Sequence, residues 1–307
     1  MNKVAVLLSA YNGEKFLKEQ IDSILNQRGI EVELFIRDDG SKDSTLEILM
    51  SYAKECNNIK IYAENNIGVG NSFMNLLYSV GNGYDYYSFA DQDDIWEDNK
   101  LSEAVSLLAQ SDKVLYASNQ ECVDKNGNSL GLRYDEDKEI HLAPVAILEK
   151  NMLAGCTMVF KRDLYEIITD KDRRPTEELL RNRLHDVWLA MVAAINGGII
   201  YDERSFIKYR QHENNVVGAY DGGVIKKMRE KSEKVFNKKF RNGRSLLAKE
   251  INAKFPNQAR NFPLIKICAD TKTFGGKCRL IKSNKLLRYY SKESYLGFFL
   301  KVMFGYF

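Results

Sequence analysis

Val4-Ala5-Val6-Leu7-Leu8-Ser9-Ala10-Tyr11-Asn12 is the stretch that decides the fold: five successive apolar residues run straight into a polar turn. A run so short, closed by polar residues, reads as a buried strand. The pattern recurs at Val32–Arg37, Ile59–Ala63, Tyr86–Ala90 and Val114–Ser118. Between these runs, Phe16, Leu17, Ile21, Ile24 and Leu25 mark one helix. Leu46, Ile48, Leu49 and Tyr52 mark a second, and Phe73, Leu76, Leu77 and Val80 a third. Repeated strand-helix units imply an α/β fold with a mostly parallel sheet flanked by helices. Past residue 120 the pattern is mixed. Asn126-Gly127 signals a hairpin between Glu121–Asp124 and Ser129–Leu132, Cys156–Phe160 reads as a strand, His185–Asn196 as a helix and Phe206–Arg210 as a final strand.

Ligands of such sheets bind beyond the carboxyl ends of the strands. Those positions hold Ser9-Ala10-Tyr11-Asn12, Asp38-Asp39-Gly40-Ser41 and Asp91-Gln92-Asp93-Asp94. Aspartates gathered at one crevice repel, so the fold is expected to supply a cation or to protonate one of them. With Gln92 turned away, Asp91 and Asp93 offer hard oxygen ligands suited to Mg²⁺ or Mn²⁺ rather than zinc, leaving positions for diphosphate oxygens. Such a metal would neutralise charge on a leaving nucleotide diphosphate. Helix capping is the competing role: Asp93 or Asp94 for the helix near Asn99–Ala109, and Asp43 or Ser41 for the helix starting near Ser44. Asp39 is then left to accept a base N–H, with Tyr11 stacking on the base. Ser9, Asn12, Asp38 and Asp91 complete the expected nucleotide-binding set, and Trp96 is expected to form a wall close behind.

Two further positions carry chemistry. Asp186 opens the apolar helix Val187–Ile195, where the dipole favours the anion; it reads as a general base or as an ordinary N-cap. His212 reads as a metal or phosphate ligand, with a surface histidine as the alternative. Gly68-Val69-Gly70-Asn71 completes neither a dinucleotide nor a Walker signature and reads as a turn before a helix.

Taken in order, Val4–Asn12, Asp38-Asp39-Gly40-Ser41 and Asp91-Gln92-Asp93-Asp94 resemble the inverting family-2 glycosyltransferases of the GT-A, Rossmann-like fold, over roughly residues 1–217. Asp91-Gln92-Asp93-Asp94-Ile95-Trp96, His185-Asp186-Val187-Trp188 and the segment Tyr209–Gly218 are similar to a rhamnosyltransferase-like branch. The resemblance implies a dTDP-L-rhamnose donor, with a UDP-hexose as the alternative. A hexose would be transferred to a sugar hydroxyl in cell-surface polysaccharide synthesis. It also implies that Asp39 contacts the base, Asp93 the metal, and Asp186 takes the acceptor proton. Asp94, Trp96, His185 and Trp188 would meet donor or acceptor sugar. The family's usual Thr-Tyr-Asn is here Ala10-Tyr11-Asn12, which removes a hydroxyl. A nucleotidyltransferase would carry a Gly-rich basic signature after the first strand, which Asn12-Gly13-Glu14-Lys15 matches poorly. A silent sugar-nucleotide-binding module would not need intact Asp39, Asp93 and Asp186.

The 307 residues are 44% apolar and 28% charged, with a net charge of +3 that conceals a division. Residues 1–223 carry 24 basic and 37 acidic side chains, residues 224–307 carry 21 and 5. The first segment is expected to be the catalytic domain, and the second a basic, aromatic-ended helical extension. Basic residues with Val235, Phe236, Phe240 and the aromatic run Tyr289–Phe307 suggest an anionic membrane surface, which suits a lipid-linked glycan acceptor; a homodimer contact is the alternative. No nucleic-acid recognition module accompanies the basic stretch. Five scattered cysteines lack metal-ligand spacing and an even count, and read as idle thiols. Met1-Asn2-Lys3 leads directly into the first strand, so a cytoplasmic protein is expected, peripheral on the inner face of the plasma membrane.

Overall fold

The apolar runs form β1 (Lys3–Ala10), β2 (Glu31–Asp38), β3 (Ile59–Ala63) and β4 (Tyr86–Asp91); after the two-residue β5 (Ile95–Trp96) comes β6 (Leu115–Val123). The computed structural model describes residues 1–182, 184–212 and 242–307. The expected boundary at Gly222-Gly223, the basic run 224–241 with Val235, Phe236 and Phe240, and the Glu213–Gly218 part of the His212 motif lie outside the described residues.

Two compact units make up the chain. Among the described residues, the first comprises 1–139, 153–170 and 197–212. Its nine-stranded sheet has the order β3-β2-β1-β4-β8-β6-β9-β5, where β8 is Val159–Lys161 and β9 is Ile199–Arg210; β7 (Ser129–Leu132) pairs with β6 off this path. β1 to β4 run parallel, β8 is antiparallel to both its neighbours, and β9 is parallel to β6. Val4 to Leu8 are wholly buried, as a strand covered on both faces must be. The helix Leu17–Leu25 covers one face by burying Leu17, Gln20, Ile21 and Ile24, one stripe at helical spacing. The helices Thr45–Glu55, Val69–Ser79 and Lys100–Ala109 form where the periodicity placed them.

The hairpin forms as read, with Glu121 opposite Leu132 and Val123 opposite Ser129. Two later elements differ from expectation. Only the end of Cys156–Phe160 is strand: Gly155–Thr157 is a 3₁₀ turn, because Thr157 donates both its N–H and its hydroxyl to the Ala154 carbonyl. The last strand begins at Ile199, well before Phe206. Its polar segment is tolerated because Asp202 accepts from the Arg204 guanidinium and the Tyr116 hydroxyl, while register shifts near Asn119 absorb the irregularity.

The second unit comprises, among the described residues, 140–152, 171–182, 184–196 and 242–307. It is helical: Pro144–Glu149, Glu177–Asn182 and His185–Asn196 precede a series from Gly243–Lys254 to Tyr295–Met303. Trp188, Leu189, Met191 and Val192 are fully buried, and Trp188 packs against Phe255 at 6.0 Å between ring centroids. The wholly buried Glu149 carboxylate is met by Lys301 at 2.7 Å and Arg244 at 3.4 Å. All five cysteines are free thiols, and no described helix is long and apolar enough to cross a membrane.

Burial pushes the His185 imidazole down to about 3. The unfolded chain therefore binds a proton at this residue below about 6.5 that the folded chain refuses until about 3, so stability is lost as pH falls through that window. In urea titrations the His185→Gln variant should lose less stability than the parent between pH 6.5 and 4, the gap closing by up to about 1.4 kcal/mol per pH unit. Parallel pH dependences for the two proteins would contradict a buried neutral imidazole.

Candidate functional site

Strand register builds the site. β1 lies between β2 and β4 so that Ser9 sits beside both Arg37 and Asp91, and Ala10 beside Asp38. The three polar loops therefore leave one end of the sheet together.

In the first loop Asn12 adopts a left-handed conformation (φ 50°), which asparagine tolerates. Its side-chain carbonyl accepts from Lys42 N–H at 2.9 Å, and its own N–H donates to Ser41 Oγ at 2.9 Å. Ser9 and Ser72 share a hydrogen bond of 2.6 Å between their hydroxyls. Tyr11 is 45% exposed, which leaves its ring open to a stacking partner. Gln92 is not turned away as expected: it accepts from Tyr11 N–H at 2.8 Å and donates to the Tyr11 carbonyl at 3.1 Å. A Cβ on Gly13 would lie 2.2 Å from Gln92 Oε1, so this clasp requires glycine there.

In the second loop Asp38 closes its own turn by accepting from Ser41, whose N–H lies 3.2 Å away and whose hydroxyl also donates. Gly40, at φ 77°, has the conformation the turn needs. Asp43 caps the following helix, accepting from Thr45 N–H at 3.0 Å. Asp39 is buried against Arg37 and accepts from the N–H groups of Ile67 and Gly68, each at 3.0 Å. The Gly68 turn thus holds an aspartate. Three of the four acceptor positions of this carboxylate are filled, and one on Oδ2 remains.

The third loop divides its acids. Asp93 lies near the surface, where His212 Nε2 donates to its Oδ2 at 2.7 Å. Asp94 points inward and is wholly buried; burial, then Asp93 and Asp91, push its carboxyl well above the usual range, favouring the protonated acid. Beneath it, burial followed by Asp94 and Asp91 pushes the Cys156 thiol up. Burial brings Lys100 down to about 7, and its ammonium lies 3.1 Å from the Trp96 ring centroid. Trp96, 3% exposed, packs in the core with Lys100 over its face, which corrects the expectation of a wall for sugar. Asp94 is likewise interior, and in the second unit Trp188 and His185 are buried.

Arg210 holds this loop in shape, and the sequence reading assigned it no role. At the end of β9 its buried guanidinium donates to the Asp93 carbonyl at 3.0 Å, to the Lys125 carbonyl at 3.1 Å and to Glu19, and it stacks 4.6 Å from Phe16. Its N–H donates to Asp94 Oδ1 at 3.2 Å. Gln20 adds a bond to the Asp91 carbonyl at 2.8 Å. An arginine closing a largely apolar strand end, as in Leu34-Phe35-Ile36-Arg37 and Phe206-Ile207-Lys208-Tyr209-Arg210, is the signal that marks such clasps.

Among the described residues one cluster brings three donor atoms together: Asp91, Asp94 and Cys156 have ligand atoms within 4.8 Å of one another. That trio suits Mg²⁺ or Mn²⁺ poorly, because a protonated acid and a protonated thiol must both ionise in the interior and thiolate is a soft ligand. On the accessible side the Asp93 carboxylate and the His212 imidazole meet at 2.7 Å, and donors of this chemistry suit a divalent ion. Asp186, in the second unit at the start of its helix, accepts from Val187 N–H at 2.7 Å and from Asn151 Nδ2 at 3.5 Å.

Residues 5–168, over half the chain, match the glycosyl transferase family 2 profile. The chain belongs to that family. It is 30% identical over 221 residues to the dTDP-rhamnosyl transferase RfbG of Shigella flexneri, covering 69% of this chain and 74% of RfbG. It is 28% identical over 219 residues to the uncharacterized glycosyltransferase RT0329 of Rickettsia typhi, covering 68% of this chain and 64% of that protein. Among solved structures, S. aureus TarS 1-349 superposes with a TM-score of 0.59 at 19% identity, covering 99% of this chain and 91% of TarS, which supports the GT-A fold. TarS 1-349 in complex with UDP-GlcNAc gives 0.55 at 19% identity, over 98% of this chain and 81% of that one.

Replacing Arg210 by Met in this family 2 protein removes charged hydrogen bonds and strands buried acceptors. The expected loss is about 2–3 kcal/mol in chemical denaturation, and a variant as stable as the parent would contradict the clasp.

Proposed function

We propose that this chain is an inverting, metal-dependent hexosyltransferase that moves L-rhamnose from dTDP-rhamnose onto a sugar hydroxyl of a lipid-linked glycan, in cell-surface polysaccharide synthesis at the inner face of the plasma membrane. The observation that carries the reading is the strand register, which sets exposed Tyr11, anchored Asp39 and the Asp93–His212 pair at one end of one mixed sheet. The likeness to a protein named dTDP-rhamnosyl transferase supports the donor. A UDP-hexose donor is the second reading, favoured by the likeness to TarS bound to UDP-GlcNAc.

Tyr11 stacks on the pyrimidine, and the remaining Oδ2 acceptor position of Asp39 takes the imide N–H; Ser9, Asn12, Asp38 and Asp91 line the nucleotide pocket. Asp91, Asp93 and His212 hold Mg²⁺ or Mn²⁺, which when bound offsets negative charge on the diphosphate. Asp186 accepts the acceptor hydroxyl's proton as the oxygen bonds to the anomeric carbon. The anomeric C–O bond breaks with its electron pair leaving on the nucleotide diphosphate, so the configuration inverts. Asp94 and Trp96 are packed in the interior of the first unit, and His185 and Trp188 in the interior of the second.

Thermal shift with dTDP-rhamnose, UDP-glucose, UDP-galactose and UDP-N-acetylglucosamine, each with and without Mn²⁺, tests the donor and metal. One donor should stabilise the protein in a Mn²⁺-dependent way, and Asp93→Ala should abolish the metal dependence. Asp186→Asn should keep that stabilisation while turnover falls by about 10²–10⁴-fold. A donor response indifferent to Mn²⁺ and to Asp93→Ala would remove the metal assignment, and full turnover in Asp186→Asn would remove the base.

A further inference from the structure

The helix Tyr295–Met303 carries its polarity inside out. Its sequence, Tyr-Leu-Gly-Phe-Phe-Leu-Lys-Val-Met, has one charged residue, and a surface helix ordinarily turns such a residue to water. Here Lys301 turns inward: its ammonium lies 2.7 Å from both the buried Glu149 and Glu293, and its side chain is 12% exposed. Phe298 and Val302 are fully buried on the same inner side. The outer stripe at four-residue spacing is Leu296 (65% exposed), Leu300 (42%) and, just past the helix, Phe304 (65%). With nine residues the helix is too short to span a bilayer, so an apolar outer face serves a surface contact.

The charge of the segment that carries this face selects the partner. Residues 263–307 carry nine Lys or Arg against two acids. Both acids are already paired, Asp270 with Arg279 and Glu293 with Lys301. Exposed Lys272, Lys282, Lys285 and Lys292 have no acidic partner among the described residues. A second copy docked through the same face would set its basic segment against this one. An anionic lipid surface takes the lysines at its headgroups and the Leu and Phe side chains at the acyl boundary, with exposed Tyr289 and Tyr295 suited to the interface between them.

We propose that Leu296, Leu300 and Phe304, together with these exposed lysines, seat the helical unit on an anionic phospholipid bilayer with the helix lying in the membrane plane. The inference goes beyond the donor chemistry and is independent of it. The test is flotation of the purified full chain with phosphatidylcholine vesicles, with and without phosphatidylglycerol, at low and high salt. The parent should float with the anionic vesicles at low salt and be released by high salt. Leu296→Asp/Leu300→Asp/Phe304→Asp should abolish flotation while keeping the parent's circular dichroism spectrum and donor-induced thermal shift. Lys285→Ser should weaken partitioning about fivefold. The proposal is overturned if the parent floats with neither vesicle or equally with both, or if the triple variant floats like the parent. It is overturned too if light scattering shows a dimer that the triple substitution dissolves, which would assign the face to a second copy. Loss of donor response with flotation intact would count against the glycosyltransferase reading and leave this one standing.

Discussion

Mutual repulsion among aspartates crowded at one end of a sheet is the constraint that the first unit is built around. Asp38, Asp39, Asp91, Asp93 and Asp94 leave the ends of β2 and β4, the two strands flanking β1, and left alone they would drive those loops apart. The fold answers each differently. Arg37 neutralises Asp39, the Ser41 turn absorbs Asp38, His212 pairs with Asp93, and Asp94 is pushed toward its neutral acid. Arg210 then ties the backbone of the third loop to Glu19 and the Lys125 carbonyl. Without these partners a parallel sheet could not present so many acids at one edge.

This arrangement separates buried scaffold from accessible surface within a few residues. Asp93 stays near water while Asp94, its neighbour, faces Cys156 and Lys100 in the interior. The chain turns at Gln92-Asp93 between β4 and β5, and this turn separates the two carboxylates. The inward acid fixes the loop through Arg210 N–H, and the outward acid pairs with His212. Buried ionic groups recur in the helical unit, where Glu149 draws Lys301 inward and so leaves an apolar stripe on the outside of the final helix. A buried carboxylate that loses one partner is costly, which makes the inward turn of Lys301 strongly preferred.

Much of the fold was legible because it follows from period and burial. Val4–Leu8 and the Leu17, Ile21, Ile24 stripe announce a covered strand and the helix covering it. The extension of β9 back to Ile199 was not legible, since Asp202-Glu203-Arg204 reads as loop until Tyr116 and the neighbouring strand supply partners. Cys156 read as strand for the opposite reason: its apolar neighbours hide Thr157, whose bonds to Ala154 turn the chain. In the site, the residue types and their order identified the acids, but their division of labour was invisible. Trp96 read as a wall close behind the acids, and only three-dimensional packing put Lys100 over its face.

Alone, the sequence determined the strand-helix alternation, the three polar loops at the strand ends and the charge contrast between the chain's two ends. Each is a property of neighbours within a few residues, where backbone periodicity and turn chemistry act. Tertiary structure alone decided that His212 pairs with Asp93, that Arg210 clasps the third loop, and that Lys301 faces Glu149. Those outcomes depend on groups 100 or more residues apart meeting where water is excluded, as Arg210 meets Asp94 and Lys301 meets Glu149. In that setting the cost of an unpaired charge, rather than local propensity, sets the arrangement.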